Sequence, residues 1–128
     1  MPKLNLGCGG NIKKGWINID LYSDGPDIVK MDVRKLEYPD GFAEEIWAQM
    51  VIEHISWKET DDVLKEWYRV LKKGGRILVV DWKEGVTFGP KEKVSPEEVK
   101  KIASEINLKL EKEFEAGSFH YGLVFTKP

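Results

Sequence analysis

The sequence predicts an α/β fold built on a mostly parallel sheet, and three observations predict it. Short apolar strands alternate with stretches of helical periodicity, the pattern of strands joined by crossover helices. A glycine-rich turn, Gly7-Cys8-Gly9-Gly10, follows the first strand. The second and third strands each end in an aspartate, Asp20 and Asp32. Polar residues thus gather at the carboxyl edge of the sheet, where open α/β folds bind ligands.

The first strand is read at residues 3–7, the second at 16–20, the third at 27–32 and the fourth near 45–49. A helix then opens on a capping box formed by Ser56 and Glu59, in which each side chain would satisfy an orphaned backbone donor. Val63, Leu64, Trp67, Val70 and Leu71 continue it as one apolar stripe, and Gly74-Gly75 supplies a left-handed stop. The unbroken apolar run of the fifth strand, residues 76–81, suits a strand covered on both faces. Residues 83–93 read as a loop. Ser95-Pro96-Glu97-Glu98 is a second capping box with proline at the first helical position, and Val99, Ile102, Ala103 and Ile106 complete that helix. Two strands follow, near 109–115 and 119–126. The link Ala116-Gly117-Ser118 is too short for a parallel crossover, so they must form an antiparallel hairpin.

A length of 128 residues suits a single domain, 1–128, with one core. Apolar residues make up 41% and charged residues 33%, which fits a globular chain and not a disordered one. A net charge of −2 leaves no electrostatic footprint for nucleic acid. Cys8 is the only cysteine, so no internal disulfide can form and a reducing cytoplasm is the natural setting. No apolar run approaches the length of a membrane span. Met1-Pro2-Lys3 leads straight into a strand, so no signal peptide is expected. Abundant Lys and Glu with a single glutamine, Gln49, lean toward a thermophile. Two histidines without clustered partners argue against a metal site.

A glycine turn lets backbone amides approach a ligand closely. Alone it is a weak signal, and with Ile12 in place of a third glycine it is not the dinucleotide fingerprint. The aspartates raise its value. Asp20 lies where a carboxylate accepts hydrogen bonds from both hydroxyls of a ribose, and Asp32 lies where an adenine amino group would donate. Together the strand ends describe a nucleoside site.

At these residues the sequence resembles the class I S-adenosylmethionine-dependent methyltransferases of the methyltransferase-11 type. Leu4-Asn5-Leu6-Gly7-Cys8-Gly9 resembles their first motif. Residues 44–54, ending in Ile52-Glu53-His54, resemble the fourth-strand motif, and residues 66–75 the helix-to-strand segment. The resemblance implies a Rossmann-like, seven-stranded sheet in the order 3-2-1-4-5-7-6 with an antiparallel last strand. It implies S-adenosylmethionine as cofactor, with Gly7, Cys8 and Gly9 beneath its amino-acid part and Asp20 on the ribose. Leu21 would lie against the adenine, Asp32 and Val33 would hold the adenine edge, and Gln49 and Met50 would line the site near the sulfonium.

The sequence departs from that pattern in three places. Asn5 stands where an acidic residue is common, no N-terminal helix precedes the first strand, and only residues 10–15 join the first strand to the second. The last feature matches a compact subgroup whose second strand reads Gly-Trp-Ile-Asn-Ile-Asp. It predicts a poorly covered sheet face beside strands one to three and, through it, a homodimer.

Methyl transfer needs chiefly alignment of donor and acceptor; a base is required only where the acceptor must lose a proton. His120, at the start of the last strand, is the first candidate base, with His54 after strand four and Asp81 at the end of strand five as further candidates. The acceptor is expected to be a small molecule. Two competing readings are a nicotinamide-dependent oxidoreductase and a non-catalytic S-adenosylmethionine-binding protein or partner subunit. The first lacks the third glycine and a substrate domain; the truncated left half of the sheet argues for the second.

Overall fold

The computed structural model describes residues 1–83 and 94–128. Its strands are β1 (Lys3–Leu6), β2 (Ile17–Asp20), β3 (Ile28–Lys30), β4 (Ala43–Gln49), β5 (Leu71–Trp82), β6 (Lys109–Glu115) and β7 (His120–Thr126). A 3-10 turn at Ile52–His54 and helix α1 (Thr60–Val70) connect β4 to β5, and α2 (Pro96–Glu105) precedes β6. The sheet order is β3-β2-β1-β4-β5-β7-β6. β7 runs antiparallel between β5 and β6, and the other pairings are parallel. The expected architecture is therefore present. Apart from Lys83, the loop read at 83–93 lies outside the described residues.

Strand alternation sends neighbouring side chains to opposite faces. One cross-sheet row runs Ile17, Leu4, Ile46, Ile77, Phe125 and the next Ile19, Leu6, Ala48, Val79, Leu123. These rows share one core with Val63, Leu64, Trp67 and Val70 of α1 and with Val99 and Ala103 of α2. Both helices therefore cover the same rows. Trp67, completely buried, also donates from Nε1 to the Val33 carbonyl at 2.9 Å. That bond ties α1 to the segment following β3.

The opposite face presents Asn18, Asn5, Trp47, Leu78 and Val124 as neighbours. Here no helix lies between β1 and β2, yet the part of the expected bare surface at Asn5 and Asn18 is buried. Asn5 Nδ2 donates to Asn18 Oδ1 and to the Asn11 carbonyl, both at 2.9 Å. Asn18 in turn holds the amide and carbonyl of Lys13, so the six-residue link is laid onto the sheet. Lys13 Nζ sits 3.7 Å from the Trp47 ring centroid, and Trp16 meets Trp47 edge-on. A buried asparagine pair, with its hydrogen bonds made, does the work of the absent helix. Asn5 is thereby committed to the fold.

The first capping box is not formed. α1 begins at Thr60 with Glu59 as a cap that makes no side-chain bond. Ser56 Oγ accepts instead from the Lys58 amide at 3.4 Å. Gly74-Gly75 does not stop the helix either. α1 ends at Val70, Leu71 is already extended, and Gly74 at φ +86° bulges inside β5 between two stretches paired with β4. Gly75 is required there by close approach, since a Cβ would lie 2.7 Å from the Glu44 carbonyl oxygen. Trp57 is 66% exposed.

The Ser95 half of the second capping box forms. Ser95 Oγ accepts from the Glu98 amide at 3.1 Å, with Pro96 opening the helix. Ser95→Ala is expected to lower stability by about 1 kcal/mol, measured as an earlier urea midpoint at unchanged slope. An unchanged midpoint would show that the cap contributes nothing.

Candidate functional site

The carboxyl ends of β1, β2 and β4, together with the segment after β3, surround a cavity of about 580 Å³. That size is in the range of small-molecule sites. Its wall includes Gly7, Gly9, Asp20, Leu21, Asp32, Val33, Gln49 and Met50. Every residue expected to touch the cofactor is thus brought together, with the exception of Cys8. Cys8 is buried, with its thiol against the Gly9 carbonyl, and burial followed by the nearby Asp20 charge raises its pKa. It fills space behind the turn as a protonated thiol.

Gly7 leaves β1 at φ +60°, and a Cβ there would come within 2.8 Å of Val51 Cγ2. The glycine thus lets the turn and the segment after β4 approach each other. Gly9 donates its amide to Asp20 Oδ2 at 2.9 Å, while Asp20 Oδ1 accepts from Tyr22 at 2.9 Å and Ser23 at 3.0 Å. Burial raises the Asp20 pKa, but the amides of Tyr22, Gly9 and Ser23 outweigh it and hold the carboxyl below the usual range. Oδ1 is doubly engaged, so Oδ2 is the oxygen with a lone pair to spare. The sequence expectation of a carboxylate free for two hydroxyls meets one already organised around the glycine turn.

Asp32 is likewise engaged. Arg34 reaches its two oxygens through Nε at 3.1 Å and through Nη2 at 2.7 Å. The guanidinium holds the Asp32 pKa low, so the group stays ionised. Arg34 also lines the cavity, as do Tyr22, Met31, Val51 and Ile55. Sequence reasoning missed these five. Each lies within two residues of an expected contact, but no periodicity marks which chain neighbours turn inward. Met50 occupies the left-handed region at φ +58°, rare for such a side chain, and its amide donates to the Val80 carbonyl. Trp47 Nε1 donates to Gln49 Oε1 at 3.3 Å and orients that amide.

The three candidate acid–base residues are divided. His54 lines the cavity; Asp81 and His120 do not. Asp81 is buried and accepts the amides of Trp82 at 2.9 Å and Glu53 at 3.3 Å. It thereby ties the end of β5 to the 3-10 turn that carries His54. Burial raises its pKa. His120 pairs across the ladder with Trp82, ring centroids 4.3 Å apart, and its buried Nε2 has no partner among the described residues. Strand alternation turns it against Trp82 and off the cavity wall. Glu53 lies beside His54 and Asp81, with Oε1 3.1 Å from His54 Nε2.

A glycine turn, a low-pKa carboxylate ending β2 and a second one after β3 thus meet at the carboxyl edge of a sheet with the Rossmann-like strand order, the edge at which such folds bind ligands. The Methyltransferase domain family matches residues 4–79, more than half of the sequence, and the chain belongs to that family. A methyltransferase of Aquifex aeolicus described as S-adenosylmethionine-dependent superposes with a TM-score of 0.77 at 19% identity, covering 100% of this chain and 82% of that one. One from Archaeoglobus fulgidus gives 0.77 at 16% identity, covering 98% and 86%. One from Methanosarcina mazei gives 0.75 at 15%, covering 98% and 92%. At these identities the likeness establishes the fold. No curated protein matches the chain in sequence. Among the described residues no helix is long and apolar enough to cross a membrane.

Proposed function

We propose that this protein is an enzyme that transfers the methyl group of S-adenosylmethionine to a small acceptor. The observation that carries the reading is the convergence of Gly7, Gly9, Asp20, Asp32, Val33, Gln49 and Met50, from four strand ends, on one cavity. Asp20 Oδ2 would accept a ribose hydroxyl, and Val33 and Asp32 would meet the adenine edge. The open space at Gly9, where an added Cβ would meet nothing within 4 Å, would receive the amino-acid part. Gln49 and Met50 would flank the sulfonium.

When bound, S-adenosylmethionine supplies a methyl carbon on an activated leaving group. The protein's share is therefore to position, and to exclude water from, an in-line displacement. His54, on the cavity wall beyond Met50, stands on the acceptor side. A lone cysteine held as a protonated thiol suits a reducing cytoplasm. Ile12, Tyr22 and Val29, exposed apolar groups on the strand one to three side, support self-association there.

S-adenosylhomocysteine is expected to raise the melting temperature with rising ligand concentration, because it would bind only the folded state. No shift and no heat of binding at millimolar ligand would overturn the reading. Radiolabelled methyl transfer to acceptor libraries separates an enzyme from a protein that only holds the cofactor.

A further inference from the structure

We infer that the cluster of Glu53, His54, Asp81 and His120, at the carboxyl ends of β4 and β5, receives a small protonated amine as methyl acceptor, with Glu53 taking its proton. This rests on the methyl-transfer reading above and names the acceptor class for that site.

The first support is charge. Glu53 and Asp81 are two carboxylates in one desolvated neighbourhood: the Glu53 side chain is only 10% exposed and Asp81 only 3%. Among the described residues no lysine or arginine pairs with either. Lys83, which directly follows β5, is engaged by Glu115 at 2.8 Å. Asp81 is partly compensated by its two amides, whereas among the described residues the Glu53 carboxylate has only the Trp82 side chain and the His54 imidazole beside it and no backbone donor. A buried anion in that state is costly without a positive partner. An ammonium group supplies the charge, while a phenolate or carboxylate would add to the repulsion.

The second support is hydrogen bonding. Among the described residues Glu53 Oε2 and His120 Nε2 are buried without a partner, and buried polar atoms ordinarily have one. Both can accept, and an ammonium has three donors to offer.

The third support is connection. Glu53 Oε1 lies 3.1 Å from His54 Nε2, and the His54 side chain is 76% exposed while also lining the cavity. The buried carboxylate thus has a relay to water at the edge of the nucleoside site. Burial, and next the Asp81 charge, raise the Glu53 pKa, which suits a group that must accept a proton. The groups facing Glu53 are Asp81 and the Trp82 side chain from β5 and His54 on its own turn, while His120 faces Asp81 from β7.

The step balances. The ammonium gives one proton to the Glu53 carboxylate, and the freed nitrogen lone pair forms the new bond to the methyl carbon. The carbon–sulfur bond breaks, and its electron pair stays on sulfur as a neutral thioether. The product leaves as a methylated ammonium, and the proton on Glu53 passes through His54 to water.

The test uses the whole chain saturated with S-adenosylhomocysteine and titrated with propylamine, dimethylamine, phenol and propionate by calorimetry and thermal shift. The amines should bind and the phenol and the acid should not. Glu53→Gln should weaken amine binding about tenfold or more, the scale of a lost charge-assisted bond, with S-adenosylhomocysteine affinity unchanged. His54→Ala, which removes the relay from Glu53 to water, should flatten the pH dependence of methyl transfer to any amine that turns over. Phenol or propionate binding in preference to the amines would overturn the inference and leave the cofactor reading standing. So would amine binding that survives Glu53→Gln. Failure of S-adenosylhomocysteine to bind at all would remove both.

Discussion

Trp67→Ala is expected to destabilise the fold by about 3–5 kcal/mol, the range for deleting a fully buried aromatic side chain. Trp67 is fully buried in the core shared by both helices and the sheet. A loss of that size is a large fraction of the roughly 5–15 kcal/mol that holds a typical domain, so the variant should be substantially unfolded in mild denaturant. Trp67→Phe separates packing from hydrogen bonding. It keeps most of the apolar volume but leaves the Val33 carbonyl without its 2.9 Å donor, at a cost of about 1–3 kcal/mol. Because Val33 lies on the cavity wall, the Phe variant should also bind S-adenosylhomocysteine more weakly. A urea midpoint of Trp67→Ala equal to that of the parent would contradict the packing. Unaltered ligand affinity in Trp67→Phe would show that α1 does not position the adenine side.

The second large effect is at Asp20. Asp20→Ala should weaken S-adenosylhomocysteine binding by about 1.5–3 kcal/mol, the scale of a charged hydrogen bond. The same substitution frees the amides of Gly9, Tyr22 and Ser23, so the glycine turn loses its anchor as well as the ribose its acceptor. Asp20→Asn keeps the shape and two acceptor lone pairs on one oxygen, and should fall between. Titration supplies an independent readout. The Asp20 pKa is lowered in the folded protein, so its contribution to stability is present above the unfolded value of about 3.9 and is lost as pH falls through the folded value. In Asp20→Ala that part of the acid-induced loss should disappear. Calorimetry giving the same affinity for parent and alanine variant would take Asp20 out of the site.

Much of this was legible in the sequence because it depends on local chemistry. Alternation between period two and helical period specified the strands and both helices. Ser95-Pro96-Glu97-Glu98 specified its own cap, since every group involved lies within four residues. The glycine turn and the aspartates after β2 and β3 sit at strand ends, and a parallel sheet delivers all such ends to one edge whatever else the chain does. That geometry is why eight of the nine expected cofactor residues share one cavity.

Contacts between distant segments decided the rest. Ser56 and Glu59 have the right spacing for a cap, but the Glu59 carboxylate lies 3.5 Å from Arg34 of the segment after β3, and α1 starts after it. Gly74 looks like a helix stop, yet pairing of Leu71 with Ala43 draws the chain into β5 three residues earlier. Asn5, a departure from the family pattern when read alone, proves to be half of a buried pair with Asn18. Its partner is thirteen residues away and becomes a neighbour only when β1 and β2 register. Glu53 shows the same limit on the functional side. Nothing in Ile52-Glu53-His54 reveals that its carboxylate will be buried beside Asp81, because that burial arises from β5 lying next to β4, with β7 beyond it. Residue type and spacing determined the strand ends and the nucleoside edge; long-range packing alone decided which charges are left buried and unpaired.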